Sequence, residues 1–333
     1  MLTVRPFCNQ DPPQLLSLWR KSQLCGNRAK LTPLSMSILQ SQVLGIPFFD
    51  PHSIWLAFEN DKAVGYIHTC LSPNETCTEF SNTSGHICFI AVDPDCEDAV
   101  VCARVLIRAG TEYLREHNVK EIFAGSLRPL LPPPFYTGFY GGSEAIGFFD
   151  SDNHLVQGFL DSGYVARANT IRYSLKLSGY VPPVTANTVG WRQNLTLMFN
   201  TAPIPNNWWE ACALAHFDYI DVTAYLNSSG KPIARARVRV VNPSPEDNGM
   251  DYGKMYVESW DAALMDIRVH PDYHQSGVGA YTLGEMLRQL IAQKMVARIE
   301  AHVQEEMKSL NMLLLAMKWE KTDTGKIYHK SFN

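Results

Sequence analysis

The sequence has no uninterrupted run of about 18 apolar residues, the length that a helix needs to cross a bilayer. Its first residues, from Met1 to Pro6, lack the basic and apolar segments that mark a secretory signal peptide. We therefore expect a cytoplasmic protein that does not bind a membrane.

Metal-binding and nucleic-acid-binding patterns are lacking as well. The eight cysteines include no Cys-x-x-Cys pair, and no Cys/His group has zinc-site spacing, so we expect free thiols and no metal. Lys and Arg total 29 against 33 Asp and Glu, which argues against a basic surface for nucleic acid. Arg235, Arg237 and Arg239 alternate along the sequence, which predicts one solvent-exposed strand face or, alternatively, a role near substrate phosphates.

The order of predicted elements repeats along the 333 residues. Each half has a strand and a helix, then a hairpin, then a strand that leads into an amphipathic helix. This last strand ends in Val92-x-Pro94 in one half and in Val269-x-Pro271 in the other. Two divergent copies of one fold explain the pattern. We predict a first copy over residues 1–178, a linker over 179–190 and a second copy over 191–333.

The stretch from Asp266 to Ala280 combines a strand end, a tight turn and a helix start. Pro271 ends the strand, and His274-Gln275-Ser276-Gly277-Val278-Gly279 opens a helical pattern. A glycine-spaced loop at a helix N-terminus leaves backbone N–H groups pointing outward, where the helix dipole adds positive charge. The stretch therefore predicts a site for phosphate oxygens. A dinucleotide-binding loop fits less well, because Thr282 stands where the third glycine would be.

This motif resembles the acyl-CoA signature of the GCN5-related N-acetyltransferases, the GNAT family. The signature is a strand ending in Val-x-Pro, then Gln/Arg-x-x-Gly-x-Gly/Ala, then a helix. The sequence departs from it at His274, where the family has Gln or Arg. With the duplication, the resemblance implies an α/β fold (α+β mixed sheet) of two tandem GNAT-like domains, each a mostly antiparallel twisted sheet flanked by helices. This arrangement is similar to that of mycothiol synthase.

The resemblance also implies a cosubstrate, acetyl-CoA, and the residues that hold it in the second copy. Backbone N–H groups from the turn would bind the pyrophosphate, the end of the preceding strand would align the pantetheine arm, and one asparagine would lie beside that arm. These residues are His274, Gln275, Ser276, Gly277, Val278, Gly279 and Ala280 in the turn, Ile267, Arg268 and Val269 in the strand, and Asn311.

The first copy lacks the glycine pyrophosphate loop. Val100 and Cys102 stand at the glycine positions, where their side chains prevent close backbone approach. Glu97 and Asp98 stand where the phosphates would lie, and two carboxylates repel a pyrophosphate. We predict that the first copy is a degenerate GNAT-like domain.

The general base has to be a carboxylate, or a water that a carboxylate orients. The family often has Glu on the fourth strand, but the spacing places Ala263 there. Asp261 is the first choice, because alternation puts it on the face of Ala263, Met265 and Ile267, with Asp266 on the opposite face. Glu258 is the second choice, and a strand bulge could exchange the two faces.

The tyrosine that protonates the departing thiolate in many family members is absent. Lys318 and Trp319 occupy that part of the sequence, and Tyr281 and Tyr328 are weaker alternatives for the acid. Coenzyme A thiolate is a good leaving group, so the reaction does not require an acid.

Three functions are compatible with these observations. The first is an acyltransferase that moves an acetyl group from acetyl-CoA to an amine acceptor, with one working site in the second copy. The second is a non-catalytic acyl-CoA-binding or interaction protein, and the third is a protein in which neither copy binds coenzyme A.

The aromatic and glycine-rich residues 125–150 predict either a surface loop with an aromatic anchor or a wall of the acceptor pocket. The protein would act as a monomer or a homodimer.

Overall fold

The computed structural model describes residues 2–23, 34–126, 135–136, 147–214, 218–241, 261–293 and 296–332. Glu258 and most of residues 125–150 lie outside these ranges, so the structure does not address the predictions made for them.

The first copy contains the elements that the sequence pattern predicts, in the predicted order. The hairpin turn consists of Asn60 and Asp61, both with positive φ, as in the two-residue turns that match strand twist. The elements are β1 (Leu2–Pro6), α1 (Pro12–Gln23), α2 (Met36–Leu39), β2 (Ile54–Glu59), β3 (Lys62–Pro73), β4 (Phe80–Val92), α3 (Ala99–Glu116), β5 (Glu121–Ala124), β6 (Phe148–Phe149), α4 (Asn153–Asp161) and β7 (Val165–Lys176).

The second copy repeats this order. Its first helix begins inside the predicted linker, because Thr185 and Thr188 form a reciprocal capping box that starts a helix at Ala186. The elements are α5 (Ala186–Asn194), β8 (Leu195–Asn200), α6 (Trp208–Leu214), β9 (Asp218–Leu226), β10 (Pro232–Val241), β11 (Asp261–Val269), α7 (Val278–Ala292), β12 (Arg298–Gln304), α8 (Lys308–Ala316) and β13 (Glu320–Ser331).

All these strands belong to one mixed sheet, in the order β1-β2-β3-β4-β5-β13-β7-β12-β11-β10-β9-β8, with β6 paired to β13. The pairs β4–β5 and β11–β12 are parallel, and the other pairs are antiparallel. The copies exchange strands at the centre, because β13 lies between β5 and β7 while β7 pairs with β12. A predicted mixed sheet of two tandem units is confirmed, and the exchange joins the units into one sheet.

The fourth strand of each copy contains a β-bulge. In β4 the register moves from Ile87 to Phe89 against consecutive residues of β3, so Cys88 is the extra residue. In β11 the register moves from Leu264 to Asp266 against β10, so Met265 is the extra residue. Cys88 precedes Val92 by as many residues as Met265 precedes Val269. The bulge is therefore a second feature that the copies share, besides the Val-x-Pro ending.

Apolar side chains cover one face of the second copy's sheet, which we call the helix face. Val238 and Leu264 pack there against Leu283, Met286 and Leu287 of α7. The opposite face carries Arg235, Arg237 and Arg239, and we call it the arginine face.

Helix α6 joins the second copy to the core of the first. Trp209 is fully buried among first-copy residues, with its ring 4.3 Å from that of Phe48. The predicted apolar face of α1, which includes Leu15 and Trp19, lines the same core. The two copies therefore share hydrophobic packing as well as strands.

Candidate functional site

Helix α7 begins without a side-chain cap. Its N-cap residue is Gly277, whose φ of 84° places it in the left-handed region and which has no side chain to accept from the first amides. Gln275 also has a positive φ, of 61°. The chain thus turns sharply into the helix and leaves the N-terminal face of α7 open to an anion.

Part of the predicted amide group is already engaged inside the turn. The amide of His274 donates to the Pro271 carbonyl at 3.1 Å, and that of Ser276 donates to the Tyr273 carbonyl at 3.3 Å. The Val278 amide makes a long hydrogen bond of 3.4 Å to the Ser276 hydroxyl. The amides with no acceptor in the described part of the chain are those of Gln275, Gly277, Gly279 and Ala280. An anion at this site would therefore contact these N–H groups, while the amides of His274 and Ser276 are engaged within the turn.

The turn is braced from both sides. The His274 imidazole donates from Nε2 to the Val269 carbonyl at 3.0 Å, so its side chain is directed back toward β11. Trp191 of α5 donates from Nε1 to the Ser276 carbonyl at 2.8 Å, and its ring packs edge-on against Tyr273. These contacts fix the turn before any ligand arrives, which lowers the entropic cost of binding.

Strands β11 and β12 separate beside this turn. Their parallel ladder joins residues 261–263 to residues 298–300, and Ala263 with Glu300 is its last aligned pair. Beyond this pair β11 runs on to Val269 and β12 to Gln304 with no ladder between them in the described chain. The predicted pantetheine residues Ile267, Arg268 and Val269 lie on this separated part of β11 and pair with β10 on the other side. The gap lies next to the open end of α7.

The bulge at Met265 changes which side chains of β11 lie on the arginine face. Arg237 is aligned with Asp266 and Ala236 with Ile267, so Asp266 lies on the arginine face and Ile267 on the helix face. The prediction that Asp261 shares the face of Ile267, with Asp266 opposite, is wrong. Ala263, which the prediction groups with Ile267, is aligned with Arg239 and lies on the arginine face.

The three arginines share one face, as predicted, but two of them are not exposed. Arg237 and Arg239 are buried, and Arg235 is about one-third exposed. Arg237 donates to Asp221 at 2.7 Å and to Glu210 of α6 at 2.6 Å. Burial alone would lower the pKa of Arg237, but the hydrogen bonds to these carboxylates raise it above its ordinary value. The face is a network of paired charges.

The first copy differs at both corresponding places. Asp98 caps α3, and its carboxylate accepts a hydrogen bond from the Val101 amide at 2.9 Å. On the other face, Tyr136 packs against Trp19 and Phe89 and contacts Nδ1 of His68 at 3.1 Å. In the first copy a carboxylate therefore occupies the helix N-terminus, which is open in the second copy. An aromatic cluster occupies the sheet face that carries the charged network in the second copy. Tyr136 is buried, as an aromatic anchor of residues 125–150 would be.

Asn311 has a structural position. Its Oδ1 accepts from the Tyr173 hydroxyl at 2.8 Å, and its Nδ2 donates to the carbonyls of Gln304 and Met307 at 3.0 Å. These bonds use its side-chain amide to tie α8 to β7 and to the end of β12. The predicted contact between Asn311 and a pantetheine arm stays a prediction.

Tyr281 and Tyr328, the two alternatives for the acid, lie in apolar surroundings. Tyr328 is fully buried in the first copy, where it stacks on Phe159 at 4.8 Å, and burial raises its pKa to about 12. Tyr281 packs in an apolar cluster with Val278 and Ala234, and burial raises its pKa as well. The raised pKa makes each of them a weaker acid toward a departing thiolate.

Two polar residues lie at the gap where the sequence pattern does not predict them. Periodicity does not reveal a bulge, so the pattern predicts the wrong face for Asp266. The alternation Glu300-Ala301-His302-Val303-Gln304 marks a strand with one polar face, and that face includes His302. Among the residues that the structure describes, no group of His, Cys, Asp and Glu could hold a metal ion. No described helix is long and apolar enough to cross a membrane.

Solved structures resemble this chain over almost its whole length. A tandem GNAT protein from the clavulanic acid biosynthesis pathway matches with a TM-score of 0.65 and 14% identity, over 99% of this chain and 98% of that one. A GNAT from Sphaerobacter thermophilus matches with a TM-score of 0.62 and 12% identity, over 99% and 95% of the two chains. A glucosamine N-acetyltransferase region of a fungal multi-domain β-N-acetylglucosaminidase matches at 0.63 and 14%, over 99% of this chain and 38% of that chain.

No family model matches the sequence, and no curated protein matches it. The similarity to solved structures shows that the chain has the tandem GNAT fold.

Proposed function

We propose that this protein is an acyltransferase that moves an acetyl group from acetyl-CoA to an amine, with its working site in the second copy. The observation that carries the proposal is the open N-terminus of α7 beside the gap between β11 and β12. A diphosphate at the amides of Gly277, Gly279 and Ala280 would leave the pantetheine arm aligned with Ile267 to Val269. The tandem GNAT fold supports the same assignment.

The geometry also separates the two substrates. Helix α7 covers the helix face, so the nucleotide end would stay on that side. The thioester would then reach the gap, and the amine would approach it from the arginine face. A backbone N–H at the end of the gap would stabilise the oxyanion that forms when the amine attacks.

The proton acceptor in this proposal is a carboxylate, Asp261 or secondly Glu258. Asp261 begins β11, the strand that borders the gap. The protein would act in the cytoplasm as a monomer or homodimer, without metal, membrane or nucleic acid.

A non-catalytic acyl-CoA-binding protein is the second candidate. One observation favours it. Tyr328, an alternative for the acid, is buried in the other copy. Such a protein would bind acetyl-CoA without turning it over.

Two measurements on the full chain test the proposal. Isothermal titration with acetyl-CoA should show saturable binding. Release of free CoA should then be followed with glucosamine, lysine, spermidine, an aminoglycoside and a short peptide with a free N-terminus. Turnover with any amine supports the enzyme, binding without turnover supports the second candidate, and absence of binding refutes both.

A further inference from the structure

His302 stands where the strands of the second copy separate. Ala263 and Glu300 are the last aligned pair of β11 and β12. Parallel strands rise by about 3.3 Å per residue, so His302 is level with Met265, the bulge residue on the opposite side of the gap. Side chains alternate along a strand, so His302 shares the arginine face with Glu300.

The imidazole is held by its neighbours. The Phe149 ring lies 4.8 Å from it, and Arg172 of β7 is its aligned partner across the ladder. Arg172 in turn binds Glu300 at 2.8 Å. His302 is only 8% exposed, so its ring is shielded from bulk water.

Charged groups approach His302 from each strand that shares its face. Arg172 and Glu300 belong to β7 and β12, Asp323 of β13 is aligned with Arg172, and Asp266 of β11 lies across the gap. Positive and negative groups are thus both present. A neutral imidazole has one ring nitrogen that can accept a proton.

The first copy has no equivalent side chain. Its ladder between β4 and β5 ends with Ile87 aligned to Ala124, and the next residue, level with the bulge at Cys88, is Gly125. The second copy thus carries its imidazole on the strand across the gap from the bulge, whereas His68 of the first copy lies on β3, on the other side of its bulge.

We propose that His302 accepts the proton of the acceptor ammonium, an assignment that rests on the proposed function. One ammonium proton passes to the imidazole and then to solvent, and the nitrogen lone pair attacks the thioester carbonyl carbon. A carbon–nitrogen bond forms, the carbon–sulfur bond breaks, and a second nitrogen proton goes to the departing thiolate. The products are an amide, CoA with a free thiol and one released proton.

Distance favours His302 over Asp261. Asp261 lies inside the paired part of β11, four residues before Met265 and so roughly 13 Å from it along the strand. A carboxylate at that distance would act through water, whereas an imidazole level with the bulge could contact the amine directly.

The test compares His302→Gln, which keeps a polar side chain of similar size, with Asp261→Asn in the full chain. The probe is the fastest-acetylated amine of the five named above, at saturating acetyl-CoA. We expect His302→Gln to lose roughly 10²–10⁴-fold in kcat/KM at neutral pH. The loss should shrink as the pH approaches the pKa of the amine, because the amine then arrives already deprotonated. The affinity for acetyl-CoA should not change.

Each outcome decides between these assignments. Equal activity loss at all pH values would show a structural role and overturn the proposal. Full activity of His302→Gln with a pH-dependent loss in Asp261→Asn would assign the base to Asp261 instead. Absence of turnover in the unmodified protein, with every amine, would refute the proposed function and this assignment with it.

Discussion

Asp98 in the first copy and Gly277 in the second are both N-cap residues of the helix that follows the fourth strand, and only Asp98 places a carboxylate over the first helical amides. The carboxylate occupies the position that an anion would need. Gly277 leaves the same position open. This single contrast separates a capped helix end from an uncapped one.

The contrast predicts that Gly277→Asp abolishes or strongly weakens acetyl-CoA binding. We expect at least a tenfold loss of affinity, about 1.4 kcal/mol, because the new carboxylate would compete for the amides and repel the diphosphate. Isothermal titration measures the change. Gly230→Asp is the matched control, since Gly230 also has a positive φ, of 67°, and no atoms within 4 Å of an added Cβ. Equal effects of the two substitutions would show that backbone strain, not charge at the site, is responsible.

Arg237 is predicted to hold the arginine face together. Arg237→Gln would leave the Asp221 and Glu210 carboxylates without their shared partner in a buried setting. We expect a loss of about 3–5 kcal/mol in the free energy of unfolding, measured by urea denaturation.

Arg235→Gln provides the comparison for Arg237→Gln. Arg235 also binds Asp221, but its side chain is about one-third exposed, so we expect a loss of no more than about 1 kcal/mol. If the two variants are equally stable, Arg237 is not the centre of the network.

Much of this fold follows from the sequence pattern. The alternation of apolar residues, the Asn60-Asp61 turn and the Val-x-Pro endings are local signals, and the strands and helices they predict lie where expected. The open helix end also follows from local residues, since Gly277 carries no side chain.

The remaining features depend on contacts between distant residues. The bulge at Met265 adds one residue to β11, and no local residue type marks it. Regular alternation therefore predicts the wrong face for Asp266. The burial of Arg237 depends on Glu210, which belongs to a different helix. The strand exchange pairs β13 with β5, far apart in sequence, and no local pattern specifies such a pairing.

Buried histidines should make the first copy sensitive to acid. Burial lowers the pKa of His68 from 6.5 to about 3 and that of His86 to about 4. The unfolded chain therefore binds more protons than the folded chain from about pH 6.5 downward, and stability falls as the pH falls. Each histidine contributes up to about 1.4 kcal/mol per pH unit.

His68→Gln tests this effect, because glutamine does not titrate. Urea unfolding at several pH values below neutral should show a shallower loss of stability in the variant than in the unmodified protein. His52→Gln is the control, since His52 is exposed. A pH dependence that His68→Gln leaves unchanged would contradict the prediction.

Asn311 should affect stability and not binding. Asn311→Ala removes a hydrogen bond from the Tyr173 hydroxyl and leaves the carbonyls of Gln304 and Met307 without that donor. We expect a loss of about 1–3 kcal/mol in the free energy of unfolding. Titration of the folded variant should give an unchanged affinity for acetyl-CoA. A weaker affinity at unchanged stability would instead restore the pantetheine contact that the resemblance to the GNAT family implies.

Trp209 should couple the two copies. Its side chain is buried against Phe48 of the first copy, and Glu210 beside it binds Arg237 of the second. Trp209→Ala would open a large cavity between the copies, and we expect a loss of about 3–5 kcal/mol. Trp208 precedes it in the same helix and contacts the same phenylalanine, but it is half exposed, so Trp208→Ala should cost distinctly less. Hydrogen exchange would show whether α6 joins the copies, because Trp209→Ala should then speed exchange in both β2 and β10. Faster exchange confined to one copy would mean that shared strands alone hold them together.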